Sequence, residues 1–157
     1  MIKIGDSIPS TIKVLNEEGE SITLEQYIGN YLVLYFYPKD DTPACTTEAC
    51  ELRDFNKDIA ALGATIVGVS KDSIKSHVKF KQKHSLTFPL LSDESTELQQ
   101  AFGVWAEKKF MGRTYMGTLR TTFLIDKKGK VIHIWEDVSA KGHGKEVYER
   151  LKQEVSK

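Results

Sequence analysis

Seven apolar residues without a break, Tyr31-Leu32-Val33-Leu34-Tyr35-Phe36-Tyr37, constrain this chain more than any other stretch. A strand with one wet face alternates apolar and polar residues, whereas a strand covered on both faces does not. The run therefore predicts a buried central strand with layers packed on either side. Ala64-Thr65-Ile66-Val67-Gly68-Val69 reads as a second such strand. Between them Leu52, Phe55, Ile59 and Leu62 recur at spacings of three and four, which makes one apolar stripe on a helix. Strand, helix, strand is a right-handed βαβ crossover and places the two strands parallel.

The remaining pattern extends this α/β reading. Thr11–Leu15 and Ser21–Leu24 suggest an N-terminal β-hairpin about Asn16-Glu17-Glu18-Gly19. A helix is expected from an N-cap at Asp72 to Lys83, a short strand over Thr87–Leu91 and a short helix over Glu94–Phe102. Thr118–Asp126 and Lys130–Trp135 read as paired strands, and Gly144–Val155 as a closing amphipathic helix. Together they predict a mixed central sheet flanked by helices, in one domain spanning residues 1–157.

Charge and cysteine content narrow the function classes. Lysine plus arginine and aspartate plus glutamate both number 22. A balanced chain does not suit general nucleic-acid binding, which rests on neutralising many phosphates, nor attachment to an anionic membrane. No apolar run approaches the length that spans a bilayer, and none at the N-terminus suits a signal peptide. A cytoplasmic location is the expectation. Two cysteines, Cys45 and Cys50, are too few for a disulfide scaffold or a four-cysteine zinc site. In a reducing compartment a close pair points to redox or catalytic use. His77, His84, His133 and His143 have no carboxylate or cysteine at metal-ligand spacing in the sequence, so no metal or other cofactor is expected.

The chemistry concentrates after the first buried strand, in Tyr37-Pro38-Lys39-Asp40-Asp41-Thr42-Pro43-Ala44-Cys45-Thr46-Thr47-Glu48-Ala49-Cys50. Ligands of open α/β sheets bind at this carboxyl end. Thr42 followed by Pro43 reads as an N-cap and the N1 proline, which puts Cys45 in the first helical turn. Free backbone N–H groups and the positive end of the helix dipole favour a thiolate there. Cys45 shares the core-facing stripe with Leu52, whereas Cys50 falls roughly 160° from Leu52, on the flank of Arg53, Asp54 and Lys57. Five residues along a helix separate Cα atoms by roughly 8–9 Å, and a disulfide needs about 4.4–6.8 Å. Any bond between Cys45 and Cys50 therefore requires the first turns to unwind.

Pro38-x-x-x-Thr42-x-x-Cys45 resembles the active-site pattern of the peroxiredoxins, and the run through Glu48-Ala49-Cys50 resembles their bacterioferritin-comigratory-protein/PrxQ subgroup. The likeness covers nearly the whole chain, including Phe88-Pro89-Leu90-Leu91-Ser92-Asp93 and Gly117-Thr118-Leu119-Arg120-Thr121-Thr122-Phe123. One departure is Ala44, where the family usually carries glycine; alanine suits a helical first turn. The resemblance implies a thioredoxin-like fold and a thiol peroxidase acting on hydrogen peroxide and organic hydroperoxides. Cys45 would be the peroxidatic cysteine and Cys50 the resolving one. Thr42 would hydrogen-bond the peroxide, Pro38 would shield the thiolate, Arg120 would reach in from a later strand and Glu48 would orient it. A thioredoxin-type dithiol would re-reduce the disulfide, and the chain is expected to be a monomer. The alternatives are a thiol–disulfide oxidoreductase, which would want Cys-x-x-Cys, and a non-enzymatic redox sensor or holdase chaperone.

Ionisation alone cannot make a peroxidase. Lowering a cysteine pKa from about 8.5 to about 6 raises the thiolate at neutral pH about thirtyfold. The accompanying loss of nucleophilicity cancels roughly tenfold to twentyfold of that. The rest of the rate must come from stabilising the breaking O–O bond, for which Arg120, the helix N–H groups and the Thr42 hydroxyl are the available donors.

Overall fold

In the computed structural model, which describes residues 1–157, the unbroken apolar run forms the middle of the molecule. Nine strands are present: β1 (Val14–Leu15), β2 (Ser21–Ile22), β3 (Tyr31–Phe36), β4 (Ala64–Ser70), β5 (Leu90–Ser92), β6 (Trp105–Phe110), β7 (Arg113–Thr118), β8 (Thr121–Ile125) and β9 (Val131–Trp135). Four α-helices accompany them: α1 (Pro43–Ala61), α2 (Ile74–His84), α3 (Glu97–Phe102) and α4 (His143–Val155). A mixed sheet runs in the order β2-β1-β5-β4-β3-β8-β9. β3 is parallel to β4 and antiparallel to β8, so the predicted crossover is present.

Both faces of β3 are covered, as its sequence requires. Val33, Tyr35 and Tyr37 join one core with Leu52 and Ile59 of α1, Phe80 of α2 and Val147 and Leu151 of α4. Leu32, Leu34 and Phe36 join a second core with Leu98 and Phe102 of α3. This is the expected thioredoxin-like α/β architecture.

Several boundaries differ from the sequence reading. The N-terminal hairpin is only two residues per strand, and Leu24 lies in a 3-10 turn over Leu24–Tyr27. Ser73, not Asp72, caps α2, its hydroxyl accepting from the Ser76 N–H at 3.2 Å. Asp72 instead accepts from Ser70 Oγ at 2.7 Å and from the Asp40 N–H at 2.9 Å. β6 and β7 form a separate two-stranded ribbon that the sequence did not disclose. Its strands carry charged and half-exposed residues without clean alternation, and its tip is Met111-Gly112, both with positive φ.

The trunk of α1 is fastened to α4. Both Glu51 carboxylate oxygens accept from the Gly142 N–H, at 2.7 and 2.8 Å. At Gly144 the helices approach so closely that a Cβ would lie 2.6 Å from the Glu51 carbonyl oxygen.

Candidate active site

Topology explains how a residue late in the sequence reaches one early in it. β3 and β8 are antiparallel, with Phe36 opposite Thr121, so the start of β8 lies beside the end of β3. Arg120 immediately precedes β8, and its carbonyl accepts from the Val138 N–H at 3.1 Å. From there its guanidinium reaches α1. Nη2 donates to Cys45 Sγ at 3.2 Å and Nη1 donates to Glu48 Oε1 at 2.7 Å. Cys45 and Glu48 are three apart on a helix and share a face, so one planar fork spans both.

Cys45 sits in the first turn of α1, as predicted, and is 2% exposed. The first intrahelical bond runs from the Thr46 N–H to the Thr42 carbonyl at 2.8 Å. The N–H groups of Ala44 and Cys45 precede it and point out of the helix start. A cysteine sulfur placed at a helix N-terminus and against a guanidinium has positive partners on two sides.

Thr42 is the N-cap by backbone conformation, with Pro43 at N1, but its side chain does not cap. Its hydroxyl donates to the Lys39 carbonyl at 2.9 Å. The proton is thus committed, and the oxygen offers lone pairs to an incoming O–H. The sequence reading counted this hydroxyl as a donor; in the structure it is an acceptor for anything bound at the site. Pro38 is half-buried and shares the wall of a cavity of about 350 Å³ with Arg120, Leu119, Met1, Lys108 and Val138. The opening leads to the guanidinium that holds Cys45. A larger depression, about 500 Å³, lies along α4 and contains no cysteine.

Glu48 is fully buried, and its Oε2 has no hydrogen-bond partner. Burial pushes its pKa up to about 7, against the pull of Arg120. Burial lowers the Arg120 pKa, but the charges of Glu48 and Cys45 outweigh it and hold the guanidinium above its ordinary value. The folded chain therefore binds a proton at Glu48 between the ordinary carboxylate pKa and about 7, where the unfolded chain does not. The sign follows: stability from this group is full at acidic pH and is lost as pH rises to about 7. Urea unfolding of the reduced protein at about pH 5 and about pH 8 should show a loss on the order of 2 kcal/mol from this group. Glu48→Gln, which keeps an acceptor for Arg120 and cannot ionise, should flatten that slope.

Cys50 is half-buried on the flank predicted for it and is not bonded to Cys45. Arg53 Nη1 lies 3.6 Å from its sulfur and donates to the His84 carbonyl at 2.7 Å. α1 is continuous through both cysteines, so the separation expected from helix geometry holds.

The surroundings of the histidines differ from the expectation. His77 does have carboxylate company: Asp40 and Asp72 lie with it in one cluster. The three come from the loop before α1, the loop after β4 and α2, a gathering that linear spacing does not show. Tyr35, fully buried on β3, is a further residue beside the site that no sequence motif marks. Its hydroxyl lacks a partner, and burial, with the charges of Glu48 and Cys45 second, raises its pKa well above the ordinary value.

The same arrangement has relatives. Residues 4–134 match the AhpC/TSA family. The chain belongs to that family. Peroxiredoxin Bcp of Bacillus subtilis is 50% identical over 151 residues, 96% of this chain and 96% of that protein. A mutant of Xylella fastidiosa PrxQ superposes with a TM-score of 0.93 at 37% identity, covering 99% of this chain and 98% of the other. The bacterioferritin comigratory protein of Xanthomonas campestris, described for alkyl peroxide reduction, gives 0.88 at 36% identity, covering 96% and 99%. This AhpC/TSA member is a peroxiredoxin of the Bcp/PrxQ kind, with a thioredoxin-like fold and thiol peroxidase activity. None of its helices is long and apolar enough to cross a membrane.

Proposed function

We propose that the chain reduces hydroperoxides through Cys45, with Cys50 as its resolving thiol and a thioredoxin-type dithiol as reductant. The observation that carries this reading is the Arg120 fork, which touches the Cys45 sulfur and ends at the cavity beside Pro38. A redox sensor needs only the two thiols; a donor poised beside the sulfur serves a reaction in which charge develops on oxygen.

In the first step the Cys45 thiolate attacks one peroxide oxygen. The O–O bond breaks, the departing oxygen takes a proton as water or alcohol, and the sulfur, oxidised by two electrons, becomes a sulfenic acid. Arg120 and the N–H groups at the start of α1 stabilise the charge on the separating oxygens, and Thr42 Oγ1 accepts the peroxide O–H. In the second step the first turns of α1 unwind. The Cys50 sulfur displaces water from the sulfenic acid and forms the Cys45–Cys50 disulfide within one chain. In the third, a reduced dithiol protein attacks that disulfide and leaves both cysteines reduced and itself oxidised. Thr46 and Thr47 are weak helix formers and ease the opening.

Stopped-flow mixing of the reduced protein with hydrogen peroxide, followed by mass analysis, tests the reading. The expected product is a chain two hydrogen atoms lighter, with Cys45 joined to Cys50. Reaction at Cys45 no faster than a small thiol of equal acidity would sink it.

A further inference from the structure

The loop between Pro38 and Thr42 presents residues to the active site at both ends, yet its interior is tied to α2. The Asp40 side chain is 3% exposed and meets three groups. Its Oδ1 accepts from the Tyr37 hydroxyl at 2.5 Å. Its Oδ2 accepts from Ser76 Oγ at 2.7 Å and lies 2.8 Å from His77 Nδ1. The Asp40 N–H donates to Asp72. One residue on, Asp41 has a φ of 58°, in the left-handed region that non-glycine residues adopt sparingly, aspartate among the more tolerant. Its own contacts with Lys83 and His84 are exposed and contribute little. The buried Asp40 contacts are what hold the loop.

Hydrogen-bond bookkeeping fixes the part His77 plays. Its ring is 1% exposed, and Nε2 lies 3.0 Å from the Leu91 carbonyl oxygen. A carbonyl only accepts, so Nε2 carries a proton. At 2.8 Å a bare ring nitrogen would repel a bare carboxylate oxygen, so a second proton lies between Nδ1 and Asp40 Oδ2. His77 thus links the sheet, through Leu91, to the loop that leads into Cys45.

We propose that His77 is a positioning residue for the peroxide step, acting through Asp40 to hold Pro38, Thr42 and the first turn of α1 in place. The proposal rests on the roles given to Cys45 and Cys50 above. It separates from simple packing because the two steps make opposite demands. Peroxide attack needs the loop docked, whereas disulfide formation needs the turn after it to open. Loss of the His77–Asp40 bond slows the first and does not slow the second.

Two substitutions divide the ring's functions. In His77→Gln the amide nitrogen takes the place of Nε2 and keeps the Leu91 contact, but the ring's contact with Asp40 Oδ2 is lost, leaving Ser76 and Tyr37 as the side-chain donors to that carboxylate. In His77→Asn the amide takes the place of Nδ1 and keeps the Asp40 contact. Stopped-flow rates for sulfenic acid formation and for disulfide formation are to be read separately in each folded variant. H77Q should slow the peroxide step about tenfold with no loss in the disulfide step. H77N should stay within about threefold of the wild type in both. Equal losses in the two variants, no loss in either, or a matching loss in the disulfide step would overturn the proposal. Should circular dichroism show H77Q unfolded, Tyr37→Phe, which removes one donor to Asp40 and keeps the ring, carries the same test and the same expected order. A wild-type protein that forms no sulfenic acid at Cys45 would instead remove the underlying reading.

Discussion

Replacing Arg120 by alanine is expected to lower the rate of peroxide reduction about a hundredfold or more, the usual cost of removing one preorganised donor from a developing oxyanion. On the proposed mechanism the guanidinium acts twice. It places positive charge 3.2 Å from the Cys45 sulfur, and it borders the cavity beside Pro38, where it would meet the oxygens of a bound peroxide. Positive charge beside a thiol in general favours its thiolate, with a small net effect on rate because a more acidic thiol is also a weaker nucleophile. The second action lowers the barrier itself. The two separate when the thiolate fraction of Arg120→Ala is measured by ultraviolet absorbance beside the stopped-flow rate. A rate that falls only in step with the thiolate fraction would mean that the arginine serves ionisation alone. Lysine in its place should recover only part of the loss, since a point charge cannot span Cys45 and Glu48 together.

Cys50→Ser is expected to abolish turnover with a dithiol donor while leaving the first peroxide event intact. Cys50 lies off the Cys45 face of α1 and makes no contact with Arg120, so its loss leaves the attacking sulfur undisturbed. One peroxide per chain should be consumed at the wild-type rate, and the chain should gain the mass of one oxygen. The sulfenic acid then has no partner in the molecule and, with more peroxide, climbs to the sulfinic acid. Sustained thioredoxin-supported turnover in this variant would place resolution elsewhere.

How much of this was readable beforehand follows the range of each interaction. The buried strand, the helix after it and the Cys45–Leu52 stripe are local patterns, and the structure keeps all three. Glu48 was within reach, because a spacing of three on a helix gives a shared face. Arg120 is 75 residues from Cys45, and periodicity says nothing about it; only the family resemblance singled it out. The Thr42 side chain has two good partners, the helix N–H groups, which donate, and the Lys39 carbonyl, which accepts, and local preference does not decide between taking and giving a proton. The Asp40–His77 pair joins segments 37 residues apart, and the β6–β7 ribbon lacks the alternation that marks a half-buried hairpin.

The fastening of α1 to α4 has a bearing on the oxidised form. Beyond Cys50, Leu52 is fully buried, Glu51 grips the Gly142 amide, and no side chain separates the two backbones at Gly144. Fraying that starts at Thr42 meets a fixed stop one residue after the second thiol. The proposed cycle would thus swing a short tip on a stationary stem, and amide exchange in the oxidised protein should quicken from Thr42 to Cys50 while Leu52 through Ile59 keep their protection.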